Sequence, residues 1–277
     1  MKNKLTYLVL LSTLGFLASC SKTNPPVTPE KPVVTVPVPP TTTPPVTNPP
    51  AVVPPASTTR LLPIKIESPN QSVVFKYLGD TNSLLSVENS TGKKVIITYK
   101  DNLMNTLYTY EGDKTFYVDF VRDHNNRINK VNQWSQTADD DIPLGYYTIT
   151  YNDQQQMTEV NYFSAKNVLL HTKTFAYDLS NDKMGVIIET NKTEITKYTF
   201  DLKNGLFKHV ANAHLIAMET GENFFLSADH NLLSVKSSTP KNDLTCSYEY
   251  NLDAYPTLIT WEALNVKMTF KVSYKTL

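Results

Sequence analysis

One pattern recurs through most of this 277-residue chain: a β-type run that closes on an aromatic residue, a polar turn holding Asp or Asn, and an apolar residue that opens the next run. It starts at Tyr77 (YLGDTNSLLSV), Tyr99 (YKDNLMNTLYTY), Phe120 (FVRDHNNRINKV), Tyr151 (YNDQQQMTEV), Tyr177 (YDLSNDKMGVII) and Phe200 (FDLKNGLFKHV). A weaker copy starts at Leu226 (LSADHNLLSV) and the last at Tyr250 (YNLDAYPTLITW). The anchors lie 22, 21, 31, 26, 23, 26 and 24 residues apart, and a period of that length marks a repeat architecture. Each copy has the size of one β-hairpin. Eight hairpins imply up to about 16 strands, whereas strongly twisted open sheets rarely exceed about 10 without curling or splitting. The predicted fold is therefore all-β, an antiparallel meander of repeated hairpins curled into a half-barrel, a roll or a sandwich.

The residues within the runs agree. Val95-Ile96-Ile97-Thr98-Tyr99, Phe116 to Phe120, Tyr147 to Tyr151 and Val266 to Phe270 are rich in β-branched and aromatic side chains, which fit a pleated, half-buried surface. One stretch departs from period two. Phe207, Val210, Ala211, His214, Leu215 and Met218 recur at helical spacing, and Gly221 follows them, so one short helix is predicted near 207–218, plugging one end of the curled sheet. Cys246 alternates with Leu244, Tyr248 and Tyr250 on one face and reads as a small buried apolar residue.

The leading pairs Tyr177-Asp178 and Phe200-Asp201, with Gly205-Leu206 downstream, resemble the YD-repeat class. No copy keeps that class's Gly-Arg. The stretch Phe200-Asp201-Leu202-Lys203-Asn204-Gly205-Leu206-Phe207-Lys208, with Tyr248 to Asn251 and Ala254 to Thr257, is more similar to a family of Bacteroidota lipoproteins with degenerate YD-like hairpin repeats. That resemblance spans about residues 70–275. It implies a fold, and no activity comes with it.

The amino terminus reads as an address. Met1-Lys2-Asn3-Lys4 is followed by an apolar run from Leu5 to Ala18, too short to span a bilayer unaided. Leu17-Ala18-Ser19-Cys20 resembles the lipobox of bacterial lipoproteins, which implies signal-peptidase recognition at Leu17, Ala18 and Ser19 and lipidation of Cys20. The expected divisions are a signal peptide at 1–19, a lipidated cysteine and proline-rich stalk at 20–59, and one all-β repeat domain at 60–277. Of the 18 prolines, 13 fall between Pro25 and Pro55, where they dictate an extended polyproline II spacer. The predicted location is the cell envelope, with the chain held to the outer membrane by its lipid. Ser21, where an inner-membrane retention signal would have Asp, argues for the outer membrane by resemblance to the lipoprotein sorting rule.

Chemistry-bearing motifs are scarce. The chain holds 26 basic and 26 acidic residues, so nothing in its charge favours nucleic acid. There is no G-x-S-x-G, H-E-x-x-H, phosphate-binding loop or C-x-x-C, and the reading assigns no catalytic residue, metal or cofactor. No two of His124, His171, His209, His214 and His230 lie within four residues of each other. Asp139-Asp140-Asp141 reads as a solvated loop. Asp119, Glu159 and Glu262 are strand carboxylates with no sign of pairing. Aromatics are the suggestive feature: Tyr108, Tyr110, Tyr117, Trp134, Tyr146, Tyr162 and Trp261 sit where burial on both faces is not expected, and Trp134, Tyr146 and Trp261 are the chosen ligand-stacking candidates. The expected function is a non-catalytic module that binds a glycan or an envelope protein. The alternative is a structural component of an envelope assembly that joins its partners through sheet edges or the stalk.

Overall fold

The computed structural model describes residues 59–178, 186–192, 194–221, 226–239, 243–264 and 266–277. The signal peptide, Cys20 and the stalk lie outside the described residues. Those described all belong to a single body.

The aromatic-ended runs form strands. The first eight are β1 (Leu61–Glu67), β2 (Ser72–Tyr77), β3 (Leu84–Asn89), β4 (Lys94–Lys100), β5 (Leu103–Glu111), β6 (Lys114–Arg122), β7 (Ile128–Gln136) and β8 (Asp141–Tyr151). The chain continues through β9 (Met157–Ser164), β10 (Leu169–Asp178), β11 (Val186–Asn191) and β12 (Glu194–Phe200), then helix α1 (Ala213–Thr220). It ends with β13 (Leu232–Ser237), β14 (Leu244–Tyr250), β15 (Pro256–Ala263) and β16 (Val266–Thr276). Every strand pairs antiparallel with its neighbours in sequence.

The Asp or Asn of the repeat has a local task. Asp123 Oδ1 accepts from the main-chain N–H groups of Asn125 (2.8 Å) and Arg127 (3.0 Å). Asn251 Oδ1 does the same for Asp253 (3.1 Å) and Tyr255 (2.9 Å), and Asn152 Oδ1 for Gln156 (2.9 Å). A short polar side chain that caps its own turn is the usual reason for Asx at such places.

The predicted half-barrel, roll or sandwich is corrected by one pairing. β1 runs beside β16, from Leu61 opposite Thr276 to Glu67 opposite Lys271, and the sheet closes into a barrel of sixteen strands among the described residues. β1 precedes the first aromatic anchor and its partner is the last strand, so the repeat carries no sign of the closure. Closure removes the unpaired edges that an open sheet would expose.

The wall has two chemically distinct faces. Leu62, Ile66, Phe75, Val95, Ile97, Leu107, Val118, Val131, Tyr147, Ile149, Val160, Ile259 and Phe270 point inward and are buried. Their strand neighbours point out and include Lys65, Lys76, Glu88, Lys94, Lys130, Glu159, Lys197, Glu262, Lys267 and Lys271. Lys76 and Lys94 both reach Glu88, at 3.3 and 3.4 Å. The outer side of the wall thus carries charge on many of its strands.

The chain between β12 and β13 supplies the core filling. Asp201 and Asn231 close its base: Asp201 N–H donates to Asn231 O (3.0 Å), and Asn231 N–H donates to Asp201 Oδ1 (3.0 Å). The segment is thus inserted at a place where other copies of the repeat make a tight turn. It enters beside Phe75, whose ring meets Phe207 edge-on at 5.3 Å. It then crosses the interior, burying Leu206, Phe207, Val210, Leu215 and Ile216 against the inner faces. Gly205 allows the close approach, because a Cβ there would lie 2.0 Å from Ala228 O. α1 ends at the opposite rim, where Lys93 Nζ, in the β3–β4 turn, donates to Thr220 O at 2.7 Å. A cation there also suits the helix C-terminus.

The helix lies later than its sequence pattern suggests, at 213–220 instead of 207–218. Residues 205–210 form tight turns, and Asn212 takes a left-handed conformation (φ 58°) that starts the helix afresh. Gly221 caps it at φ 66°. Instead of closing one end, the segment runs through the barrel. Cys246 is buried among Phe200, Leu232 and Leu244, as its alternation predicts.

Candidate binding face of the barrel

The sequence-selected aromatics divide between the two sides of the wall. Tyr108, Tyr117 and Trp134 sit directly opposite one another on β5, β6 and β7 and point outward. Ile96 on β4 and Pro143 on β8 extend the row at either end. The Tyr117 and Trp134 rings stack at 6.0 Å with 11° between planes, and Tyr108 lies 5.4 Å from Tyr117. Tyr110 stacks on Tyr108 at 6.4 Å. Tyr146 begins a second outward row, opposite Phe163, which is opposite Leu169. Tyr146 and Phe163 stack at 4.8 Å, and Lys130 Nζ lies 4.1 Å from the Tyr146 ring centre.

Polar groups flank these rings. Asp119, Asn132, Gln136 and Asp141 share the outer face of β6, β7 and β8. Gln136 Nε2 donates to Asp141 Oδ1 at 3.3 Å, and Thr106 Oγ1 to Asp119 Oδ1 at 3.1 Å. The Tyr117 phenol is pushed up to about 12, first by desolvation and then by its bond to the Asp141 carboxylate. Trp134 Nε1 is a buried donor with no acceptor among the described residues.

Trp261 and Tyr162 do not belong to this face, which corrects two of the selected positions. Trp261 shares the inward side of β15 with Ile259 and meets Phe270 edge-on at 5.3 Å. Tyr162 shares the inward side of β9 with Val160 and stacks on His171 at 4.3 Å. Strand parity with the neighbouring Ile and Val is the signal for both. Phe163 and Lys130 are not singled out by the sequence pattern, although each shares its side of the wall with a selected aromatic.

The isolated carboxylates stay apart. Asp119 and Glu159 lie on β6 and β9, and three strand spacings are about 14 Å, beyond the roughly 5–10 Å of a glycosidase pair. Glu262 lies on β15, farther round. Asp139 and Asp140 are exposed in the β7–β8 turn, where Thr137 N–H donates to Asp140 O.

The barrel interior holds polar groups that no sequence motif assembles. Glu219 of α1 accepts from the Tyr147 hydroxyl and from Gln133. Burial pushes its carboxyl up to about 7. Lys173 Nζ lies 2.9 Å from Glu189, which also accepts from Tyr198 at 3.0 Å. Desolvation lowers the His214 imidazole pKa against the opposing pull of Asp229. His209 Nε2 lies 2.7 Å from the Tyr255 hydroxyl.

The fold is thus a closed antiparallel barrel threaded by its own β12–β13 segment, with an aromatic outer face. No protein-family model matches the chain, and no curated protein is similar to it. Among solved structures it is similar to a porin-like protein from Bacteroides uniformis, with 13% identity, 78% of this chain and 96% of that chain covered, and a TM-score of 0.47. It is also similar to a porin-like protein from Bacteroides vulgatus, with 12% identity, 79% and 100% covered, and a TM-score of 0.39.

Proposed function

We propose that this chain is a non-catalytic binding module of the cell envelope. In this reading lipid on Cys20 holds it to the outer membrane, the proline-rich stalk spaces it outward, and the outer aromatic face takes a glycan. The observation that carries the reading is the continuous ladder Tyr110–Tyr108–Tyr117–Trp134. Flat rings on a rigid wall give sugar rings a stacking surface, and the flanking carboxylate and amide groups of Asp119, Asn132, Gln136 and Asp141 match sugar hydroxyls. Extended contacts of this kind need no catalytic group. The assembly alternative must use a face of the barrel or the stalk, because the β1–β16 pairing leaves no free sheet edge.

The test is a glycan-binding screen on the lipidated chain in detergent, repeated with Trp134→Ala and Tyr117→Ala. Binding that both variants weaken supports the reading. Absence of glycan binding, with a stable protein partner recovered by crosslinking from intact cells, would replace it with the assembly reading.

A further inference from the structure

Among the described residues, the threaded segment fills only part of the barrel. Inner side chains of β1–β8 are largely buried against it, whereas those of β10–β12 stay partly accessible inside a closed wall. These are His171, Lys173 and Phe175 on β10, Glu189 and Asn191 on β11, and Tyr198 on β12. We infer that this open half of the interior is a binding site for a small neutral, hydroxyl-rich ring, such as a disaccharide. The site is separate from the outer ladder and does not rest on that assignment.

Four observations lead there. No free cation among the described residues faces a phosphate: Lys173 is paired with Glu189 at 2.9 Å, and the further inward carboxylate, Glu194, accepts from the Ser237 hydroxyl at 2.7 Å. An aromatic surface is present, because Tyr162 and His171 stack with 12° between their planes. Donors and acceptors alternate, as hydroxyl groups require: Tyr198 donates to Glu189, and Ser237 to Glu194. Finally, Asn191 lies directly opposite Lys173, and its Oδ1 is buried with no donor among the described residues. An unmet buried acceptor costs roughly 1–3 kcal/mol, and turning the Asn191 amide toward the open interior would let a ligand hydroxyl satisfy it.

The two tryptophans make the site testable by itself. Trp134 is on the outer wall and Trp261 on the inner one, so in Trp134→Phe the remaining indole reports from inside while the outer ladder is impaired. The probes are cellobiose, maltose and diacetylchitobiose, titrated up to millimolar concentrations into the full lipidated chain in detergent. The expected result is a saturable change in Trp261 emission with at least one of them. Asn191→Leu and Glu189→Gln should each weaken it about tenfold. Asn191→Leu removes an unmet acceptor and should fold at least as well as the parent. No saturable response to any probe would overturn the inference, as would a response that neither variant changes. Loss of outer-face binding alone would leave the Trp261 signal intact, so the two readings fail separately.

Discussion

Tyr77 donates its phenolic hydrogen to the main-chain oxygen of Pro63 at 2.8 Å, tying the end of β2 to the start of β1. The same bond recurs from Tyr99 to Leu84 (2.9 Å), Tyr151 to Ile128 (2.8 Å), Tyr177 to Met157 (2.7 Å), Tyr248 to Leu232 (2.6 Å) and Tyr274 to Pro256 (2.7 Å). In the β5–β6 pair Arg122 Nη2 takes the tyrosine's place, donating to Met104 O at 2.9 Å. β12 ends in Phe200, which has no hydroxyl. The recurrent aromatic thus fills the interior with its ring and locks a hairpin with its oxygen. Burial raises these phenols, Tyr99 and Tyr151 to about 12, so they remain donors at any physiological pH.

Removing one lock should destabilise the barrel without unfolding it. Tyr99→Phe and Tyr151→Phe are each expected to lower unfolding free energy by about 1 kcal/mol, rising toward about 3 kcal/mol where the abandoned carbonyl stays dry. Urea denaturation followed by circular dichroism measures this. An unchanged midpoint in both variants would show that the bonds accompany the repeat without supporting it.

The locks also explain what the sequence could and could not reveal. Each tyrosine is the anchor of a repeat copy or lies within two residues of one or in the closing strand, so the hairpins and their number are written in local order. Which side of the wall a residue faces is harder to read. The ladder register shifts at Lys76/Tyr77, Thr98/Tyr99, Val121/Arg122, Thr150/Tyr151, Thr199/Phe200 and Glu249/Tyr250. Parity counted through a turn is therefore lost, and only parity within a strand separates Trp134 from Trp261. The polar interior depends on a helix that meets strands far away in sequence, as when Glu219 meets Tyr147. No local pattern encodes such a meeting.

Gly145 should tolerate no side chain. Its φ is 145°, and a Cβ would lie 2.2 Å from the main-chain oxygen of Phe163. Gly145→Ala must push β8 from β9 beside the Tyr146–Phe163 stack. A loss of about 3 kcal/mol is expected, at the upper end for overpacking. A thermal melt within a degree or two of the parent would contradict the close approach.

The outer ladder predicts graded losses in glycan affinity. Stacked aromatic contacts contribute about 0.5–1.5 kcal/mol beyond burial, so Trp134→Ala should weaken binding about threefold to tenfold or more. Tyr110→Ala, at the end of the row, should weaken it less. Calorimetric titration orders the variants. Equal effects at Trp134 and Tyr110 would argue against a ligand lying along the row.

Cys246 should be silent toward thiol reagents. Burial pushes its thiol up to about 12, and the reactive species is the thiolate. In a Cys20→Ser form, which leaves Cys246 as the single cysteine, an aromatic disulfide reagent at about pH 8 should react only after denaturant is added. Rapid stoichiometric reaction of the folded protein would mean that the strand 244–250 opens readily.

The stability contributed by Glu219 should fall as the solution turns from acid to neutral. Its carboxyl is raised from the ordinary 4.5 to about 7, because burial disfavours the anion more than the Tyr147 and Gln133 bonds favour it. Between those values the unfolded chain has released the proton and the folded chain still holds it, so unfolding free energy declines as pH rises. The Glu219 contribution is fully present below about pH 4.5 and is lost as pH passes through about 7, with a span on the order of 3 kcal/mol. Glu219→Gln keeps a neutral hydrogen-bonding group at the end of α1 and should flatten this part of the profile. Urea midpoints taken from about pH 4.5 to 8 on parent and variant decide the matter, because other groups titrate equally in both. Identical slopes would mean that Glu219 ionises without cost and that the interior beside Tyr147 is wetter than its burial implies.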